Sequence, residues 1–308
     1  MKKTLMLTPL IAGWVMLLVS EPFRSAALVN GILQLLLFLF VVCIPAWRTE
    51  RMSYVDIAWP WGLVIVGLVA FVFGMATSDP TRLLLVCGLY VLIGGRMGVF
   101  ALKLWRSGVL DNELPRYRYQ ARRWAKTGER NIPLARQVEL LAQGLANASF
   151  LAYPAFLVVS NAQRPLSMLE MIGFSIALAA FGLESLADYQ KAAFAERAKA
   201  EGQTNAVCDI GLWRYSRHPN YFFEWMVWNG LILMALSALP GIFQTHSILL
   251  ALFITLGLLF VSRIMYVTLV HYTGAKPAEF YSVQKRPAYV DYQKTTNRFF
   301  PGPRKEDG

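Results

Sequence analysis

Residues 55–77 read VDIAWPWGLVIVGLVAFVFGMAT, and Asp56 is the only charged residue in this run. An apolar run of this length matches the roughly 20 residues with which an α-helix crosses the hydrocarbon core of a bilayer. Similar runs recur along the chain, and together they predict eight spans, at residues 5–20, 27–45, 55–77, 82–102, 138–160, 167–188, 222–240 and 246–272. The sequence therefore predicts an all-α fold, a polytopic membrane bundle of about seven to eight transmembrane helices.

The composition of the 308 residues agrees with this fold class. Apolar types make up 56% of the chain and charged types 16%, and the mean hydropathy is +0.42, whereas soluble domains carry roughly 25% charged residues. These values exclude a soluble Rossmann or barrel enzyme and a disordered chain. The net charge of +11 is explained by basic loops of a membrane protein, so we expect no nucleic-acid partner. The three histidines and three cysteines have no metal-ligand spacing, so we expect no metal site.

The basic residues predict how the chain is oriented. Segment 103–136 carries nine Lys or Arg residues against three acidic residues, so the positive-inside rule places it in the cytoplasm. With eight spans, segment 189–221 and both termini also lie inside, and the opposite connections hold only Arg24 and Arg164 as basic residues. We divide the chain into an N-terminal span or signal anchor with its connection, residues 1–26, and a membrane domain with a cytoplasmic C-terminal tail, residues 27–308.

Acidic residues within the spans are candidates for function, because burying a charge in a membrane is costly. Asp56 opens the third span just before Trp59 and Pro60, and Glu184 lies one helical turn before Asp188 in the sixth. Such residues can also be helix-end charges or buried ion pairs. For Asp56 the structural alternative is a favourable place at a helix start, with Ser53 as the capping residue.

The densest polar cluster is residues 211–224, which read GLWRYSRHPNYFFE. Its arginines have the fork geometry that suits phosphate groups. Pro219 is typical of the first position of a helix, and a helix start offers free backbone N–H groups to an anion. Asn220, Tyr221 and Glu224 share one helical face. The alternative is that these Trp, Tyr and Arg residues form the ordinary interfacial belt of a membrane protein.

The run from Leu212 to Tyr221, followed by Glu224, resembles the signature of the steroid 5-alpha-reductase C-terminal superfamily, in particular its bacterial DUF1295 branch. Weaker similarities lie at residues 55–59, 184–190, 207–209 and 285–292, and the resemblance covers roughly residues 30–301. It implies a helical membrane protein, multi-pass in a bacterial inner membrane, whose cytoplasmic loops close over NADPH. It further implies reduction of a carbon–carbon double bond in a steroid-like or other lipid enone, with membrane lipids around it.

The resemblance also implies roles for individual residues. The implied cofactor contacts are Asp188, Trp213, Arg214, Arg217, His218, Asn220, Tyr221 and Glu224, with Glu279, Arg286, Tyr289 and Tyr292 closing over them from the tail. Asp56 falls near the position of a substrate-polarising acid, where it would have to be protonated to donate to a carbonyl, and Glu184 is the second catalytic candidate. Two departures stand out: Phe223 occupies a position that is usually glycine, and the tyrosine that would partner the catalytic acid has no counterpart near Arg96.

Two other functions remain open from the sequence. Isoprenylcysteine carboxyl methyltransferases share the Arg-His-Pro-x-Tyr motif and bind S-adenosylmethionine, and Glu279, Tyr289 and Tyr292 would suit that role. A non-catalytic membrane or assembly protein is the third possibility. The combination of Asn220 with Glu224, and the acid at Asp56, favours a reductase. The sequence leaves the particular lipid substrate and the oligomeric state open.

Overall fold

The computed structural model describes residues 2–161, 165–203 and 205–305, with side chains from residue 7 onward. Over these ranges every regular element is a helix, which confirms the predicted fold class. The α-helices are α1 (Lys2–Val19), α2 (Arg24–Phe38), α3 (Ile44–Thr49), α4 (Val55–Gly74), α5 (Pro80–Arg106), α6 (Pro115–Lys126), α7 (Ile132–Ala148), α8 (Tyr153–Ser160), α9 (Met168–Ala200), α10 (Pro219–Leu236), α11 (Leu239–Thr245), α12 (Ile248–Val267), α13 (Ala275–Lys285) and α14 (Tyr289–Thr295). Short 3₁₀ turns lie at Val109–Asp111, Phe150–Ala152 and Gly211–Arg214, and π-helical segments at Leu39–Cys43 and Thr268–Tyr272.

The described chain holds six helices that are long and apolar enough to cross a membrane. A seventh crossing results if α10 and α11, which meet at a bend of 47°, form one span. These seven coincide with the seven later predicted spans. The first predicted span lies in α1, whose described apolar part, Leu7–Val19, is shorter than a full crossing.

Several helices continue past the predicted spans. The sixth was predicted to end at residue 188, but α9 runs on to Ala200. Hydropathy detects only the apolar part of a helix. Residues 189–200 are rich in Ala, Lys, Glu and Arg, which have high helix propensity, so the helix continues after the apolar run ends. This polar extension carries Lys191 and Lys199 away from the apolar part of the helix.

The chain divides into two compact units. The first comprises the residues up to Phe174 together with Gly230–Val261, and the second comprises Ser175–Asn229 together with the residues from Ser262 onward. In the first unit, α4 and α5 pack closely along two glycines. A Cβ atom on Gly94 would lie 2.5 Å from the carbonyl oxygen of Pro60, and one on Gly67 would lie 2.8 Å from the Cβ of Tyr90. Small residues of this kind let membrane helices approach each other closely.

Buried amides support α4 of the first unit next to Pro60. Gln34 Nε2 donates to the carbonyl oxygen of Gly62 at 2.8 Å, and Asn147 Nδ2 donates to that of Trp59 at 3.0 Å. Proline has no N–H and breaks the regular hydrogen-bond pattern of a helix. The two bonds attach α2 and α7 to α4 on either side of Pro60, in the helix that carries Asp56.

An aromatic cluster fixes the C-terminal tail in the second unit. Its rings are those of Phe222, Trp225, Tyr266, Phe299 and Phe300. Most of their contacts are edge-to-face, with Tyr266 and Phe299 centroids 5.3 Å apart, a geometry that aromatic pairs favour. The cluster attaches residues 299–300 to α10 and α12.

Candidate active site

The motif at residues 211–218 forms a tight turn between α9 and α10. Gly211 has a φ of +56°, a backbone conformation that glycine adopts without strain. The side chain of Gln190 occupies the space that a Cβ on Gly211 would fill, and its Oε1 accepts a hydrogen bond from the N–H of Leu212 at 2.9 Å. Helix α10 begins at Pro219, as predicted.

The C-terminal tail folds back over this motif. Hydrogen bonds run from Arg217 N to Asn297 O (2.8 Å), from Ser216 Oγ to Phe299 O (3.0 Å) and from Gly302 N to Tyr215 O (3.0 Å). The hydroxyl of Tyr292, in α14, donates to the carbonyl oxygen of Trp213. The motif and the tail therefore form one continuous wall.

Glu279 of α13 lies at the centre of this wall and is only 4% exposed. Its carboxylate accepts hydrogen bonds from Arg217 Nε at 2.8 Å, Arg298 Nε at 3.0 Å and Gln293 Nε2 at 3.2 Å. A buried charge is costly unless it is paired and hydrogen-bonded. These donors meet that requirement, so Glu279 holds the wall together.

Arg217 is committed to contacts within the protein. Besides Glu279, its guanidinium donates to the carbonyl oxygens of Gln293, at 3.0 Å, and Thr296. The side chain is 7% exposed. Arg217 thus attaches the tail to the motif. The small part of its side chain that stays exposed lines a cavity.

His218 is a neutral imidazole beneath the tail. It is 3% exposed, and burial, which disfavours the charged form, lowers its pKa to about 4. Its Nε2 lies 3.4 Å from Glu279 Oε1 but makes no hydrogen bond with the described residues. Its ring stacks on Tyr221 with centroids 5.3 Å apart and planes inclined by 4°.

A cavity of about 230 Å³ opens against this wall in the second unit. Its buried lining includes Trp213, Arg217, His218, Tyr289 and Tyr292. Lys191 and Lys199, which are solvent-accessible, lie on its α9 side, together with Arg286 from the end of α13. None of the described lining residues is acidic. The arrangement concentrates positive charge on a pocket with an aromatic lining.

Several polar groups of the lining keep their protons. Burial raises the pKa of the Tyr289 and Tyr292 hydroxyls and of the Cys208 thiol. Lys191 differs from these groups: its Nζ lies 4.1 Å from the ring centroid of Trp213, within the range of a cation–π contact, and burial, which disfavours the charged ammonium, lowers its pKa. Arg286 Nε is buried and makes no hydrogen bond with the described residues. The donors of Arg286, Lys191 and Lys199 therefore make this lining suited to an anion.

The structure brings many of the predicted cofactor residues together. Those that line the cavity are Trp213, Arg217, His218, Arg286, Tyr289 and Tyr292. Asn220 Nδ2 donates to Asp188 Oδ1 at 2.9 Å, so this predicted pair is also in contact. Arg214 is exposed, and Glu224 is half-buried; neither is among the lining residues. Glu184 is 4% exposed, one turn before Asp188 on α9.

Other lining residues were absent from the predicted site. Lys199, Phe194 and Ala198 belong to the polar extension of α9. Lys191, Ala195, Ala198 and Lys199 follow one another at helical spacing along one face. That spacing is a signal the sequence carries, but only once the helix is known to continue past residue 188.

Asp56 belongs to the first unit and contacts two residues of α6. The Arg116 guanidinium forms an ion pair with its Oδ2, and the Tyr117 hydroxyl donates to its Oδ1 at 2.6 Å. Burial raises the pKa of Tyr117 well above its ordinary value, with the Asp56 charge as a further cause. Asp56 therefore acts as an acceptor, and Tyr117 is the group that keeps the proton.

The sequence did not indicate either partner of Asp56. Tyr117 lies 61 residues further along the chain, in an amphipathic helix. The sequence pattern of that helix does not distinguish Tyr117 from its other aromatic residues. The proposed capping residue has another role: helix α4 begins without a side-chain cap, and the Ser53 hydroxyl donates to Glu113 and accepts from the N–H of Leu114 at 2.9 Å. The carboxylate of Asp56 is thus directed at side chains of α6.

No curated protein and no solved structure matches this chain. Residues 39–296 match the family described as "Protein of unknown function (DUF1295)". The matched range includes the motif at 211–218, the wall residue Glu279 and the acid Asp56. Because the match covers most of the chain, the protein belongs to the DUF1295 family, within the steroid 5-alpha-reductase-like group of membrane proteins.

Proposed function

We propose that this protein is a membrane reductase that uses NADPH to reduce a carbon–carbon double bond of a lipid enone. The observation that carries the proposal is the charge of the cavity at the motif. Lys191, Lys199 and Arg286 line it together with Arg217, whose charge is paired with Glu279, and no acidic residue is among its described lining residues. Membership of the steroid 5-alpha-reductase-like group is consistent with this activity.

The charge of the cavity favours a dinucleotide over the alternative cofactor. NADPH carries a pyrophosphate and a 2′-phosphate, and arginine and lysine side chains are the usual partners of such groups. S-adenosylmethionine carries a sulfonium and an ammonium group against a single carboxylate. A lining whose charged residues are all basic would repel these two cationic groups. This comparison favours the reductase over the methyltransferase.

The lining residues have suitable roles for such a cofactor. Lys199 and Arg286 would bind phosphate oxygens, and Lys191, which lies over the ring of Trp213, would add a further N–H donor. The cavity of about 230 Å³ is smaller than the roughly 300–1,000 Å³ of a typical site for a whole drug-sized ligand. It would therefore hold the phosphate-bearing part of the cofactor. When bound, NADPH would supply a hydride to the double bond.

On the substrate side we assign the proton to the Tyr117–Asp56 pair. Tyr117 keeps its proton at neutral pH and donates it to Asp56 at 2.6 Å. A substrate carbonyl would therefore have to replace Asp56 as the acceptor of this single proton. Arg116 balances the charge of the carboxylate. A conjugated carbonyl polarised by a phenol is more readily attacked at its β carbon, which is the general-acid role that the sequence assigned to Asp56 itself.

The experiment is an activity screen with the purified full-length protein. A panel of steroid and fatty enones is offered with NADPH, and both NADPH consumption and product mass are measured. The proposal predicts a product that has gained two hydrogen atoms, formed in step with NADPH oxidation. A product that has gained a methyl group from S-adenosylmethionine would establish the methyltransferase instead.

A further inference from the structure

A second opening lies in the first unit, where the helix that follows α2 is locally widened. The segment Leu39–Cys43 is π-helical, and the N–H of Ile44 bonds to the carbonyl oxygen of Leu39, five residues back. Gln137 of α7 donates to the carbonyl oxygen of Cys43 at 3.2 Å. Such π-helical bulges occur frequently at functional sites. Here the bulge borders a groove.

The groove has a volume of about 440 Å³, and its lining residues are Leu39, Cys43, Ile44, Trp47, Arg48 and Gln137. Its walls at Leu39 and Ile44 are apolar. Trp47 is 65% exposed at the end of α3, a position where tryptophan side chains sit at the level of lipid headgroups. The groove thus has an apolar end at Leu39 and a polar end at Trp47 and Arg48.

Arg48 provides a charge at the polar end. It is exposed and forms no ion pair or hydrogen bond with any described residue. The nearest acid along the chain, Glu50, lies 3.7 Å from Arg136. The guanidinium of Arg48 is therefore available to a ligand, and its planar fork suits a phosphate group.

We propose that this groove binds one anionic phospholipid, with an acyl chain against Leu39 and Ile44 and its phosphate on Arg48. Charge complementarity selects the headgroup, because basic pockets between membrane helices attract anionic lipids. The apolar walls select a lipid over a free anion. The site is independent of the NADPH cavity and of the proposed reaction.

The chain supplies a matched control for Arg48. The pair Trp105–Arg106 ends α5, and Trp47–Arg48 lies in the last turn of α3, one residue before its end. Trp105 is 52% exposed and Arg106 is exposed. Arg106 is not among the residues that line the groove. Changing either arginine to glutamine removes one positive charge from the end of an apolar helix. The two variants should therefore differ in lipid affinity only if Arg48 belongs to a specific site.

The test is native mass spectrometry of the delipidated full-length protein, titrated with phosphatidylglycerol or with phosphatidylcholine. We expect a single phosphatidylglycerol to bind at concentrations at which phosphatidylcholine does not. Arg48→Gln should weaken its binding by about tenfold or more, the loss of a charge-assisted phosphate contact, while Arg106→Gln leaves it unchanged. Leu39→Trp, which narrows the apolar wall, should also weaken binding.

Several results would overturn the proposal. Equal binding of the two lipids would show that the groove makes only a non-specific lipid contact. An equal loss of phosphatidylglycerol affinity in Arg48→Gln and Arg106→Gln would show that only the general surface charge matters. Displacement of phosphatidylglycerol by excess inorganic phosphate would identify a site for a free anion. Unchanged binding in Leu39→Trp would show that the acyl chain does not lie in the groove.

Discussion

Arg217 Nε lies 2.8 Å from Glu279 Oε1, and both side chains are almost fully buried, at 7% and 5% exposed. Arg217 comes from the motif before α10, and Glu279 comes from α13, 62 residues further along the chain. The ion pair therefore joins two distant segments beside the cationic cavity. The donors of Arg217 are used within the protein, so in our proposal Lys199 and Arg286 are the main ligand-binding cations of the cavity.

Removing the charge of Glu279 should destabilise the protein. Glu279→Gln leaves the buried Arg217 without its anionic partner, and breaking a buried ion pair costs about 3–5 kcal/mol. We expect a clear fall in Tm, measured by thermal unfolding of the detergent-purified protein. Asp291→Asn, which removes an exposed ion pair with Lys294, is the control and should change the Tm little. Equal Tm values for the two variants would contradict the role of Glu279.

Acid should destabilise the protein through His218. Its pKa is about 4 in the folded protein, below the ordinary 6.5, so the unfolded chain binds a proton more readily. The stability that His218 contributes is complete above pH 6.5 and is lost as the pH falls from 6.5 to 4. We expect the Tm of wild type to fall in this window, and His218→Gln to reduce that fall. An identical pH profile in the variant would refute the assignment.

The Tyr117–Asp56 pair should affect turnover more than cofactor binding. Tyr117→Phe and Asp56→Asn are each expected to retain NADPH affinity and to lower turnover by roughly 100-fold or more, the range of general acid catalysis. The readout is NADPH consumption with whichever enone proves active. Asp111→Asn is the control, because its side chain is 75% exposed and lies 3.8 Å from Arg51. Full turnover by folded Tyr117→Phe would place the proton elsewhere, with Glu184 the next residue to test.

The orientation of the chain remains a prediction with a direct test. The basic segment 103–136 and the C-terminal tail are expected in the cytoplasm. Reporter fusions after residues 120 and 305 should both give a cytoplasmic signal, and a fusion at residue 79 should give the opposite one. A periplasmic signal at either of the first two positions would refute this topology.

The sequence predicted the membrane helices because each apolar run must be about as long as a bilayer is thick. Through its resemblance to a known family it also predicted Trp213, His218 and Tyr292 as site residues, and these three line the cavity. It could not indicate that Tyr117 contacts Asp56, because contacts across 61 residues depend on how the helices pack. It placed Arg217 on the cofactor without showing that Glu279 and backbone carbonyls already use its donors. The sequence did not predict Lys199 as a site residue, because the apolar run of the sixth span ends before the helix itself ends.

The most direct test of the proposed function is nucleotide binding to the purified full-length protein, measured by calorimetry with NADPH, NADH and S-adenosylmethionine. We expect NADPH to bind most tightly, and Lys199→Gln and Arg286→Gln each to weaken it by about one to two decades, as the loss of a charge-assisted phosphate contact would. Lys276→Gln, an exposed lysine of α13 that does not line the cavity, should bind NADPH normally. Binding of S-adenosylmethionine without binding of NADPH, or unchanged NADPH affinity in both cavity variants, would contradict the account.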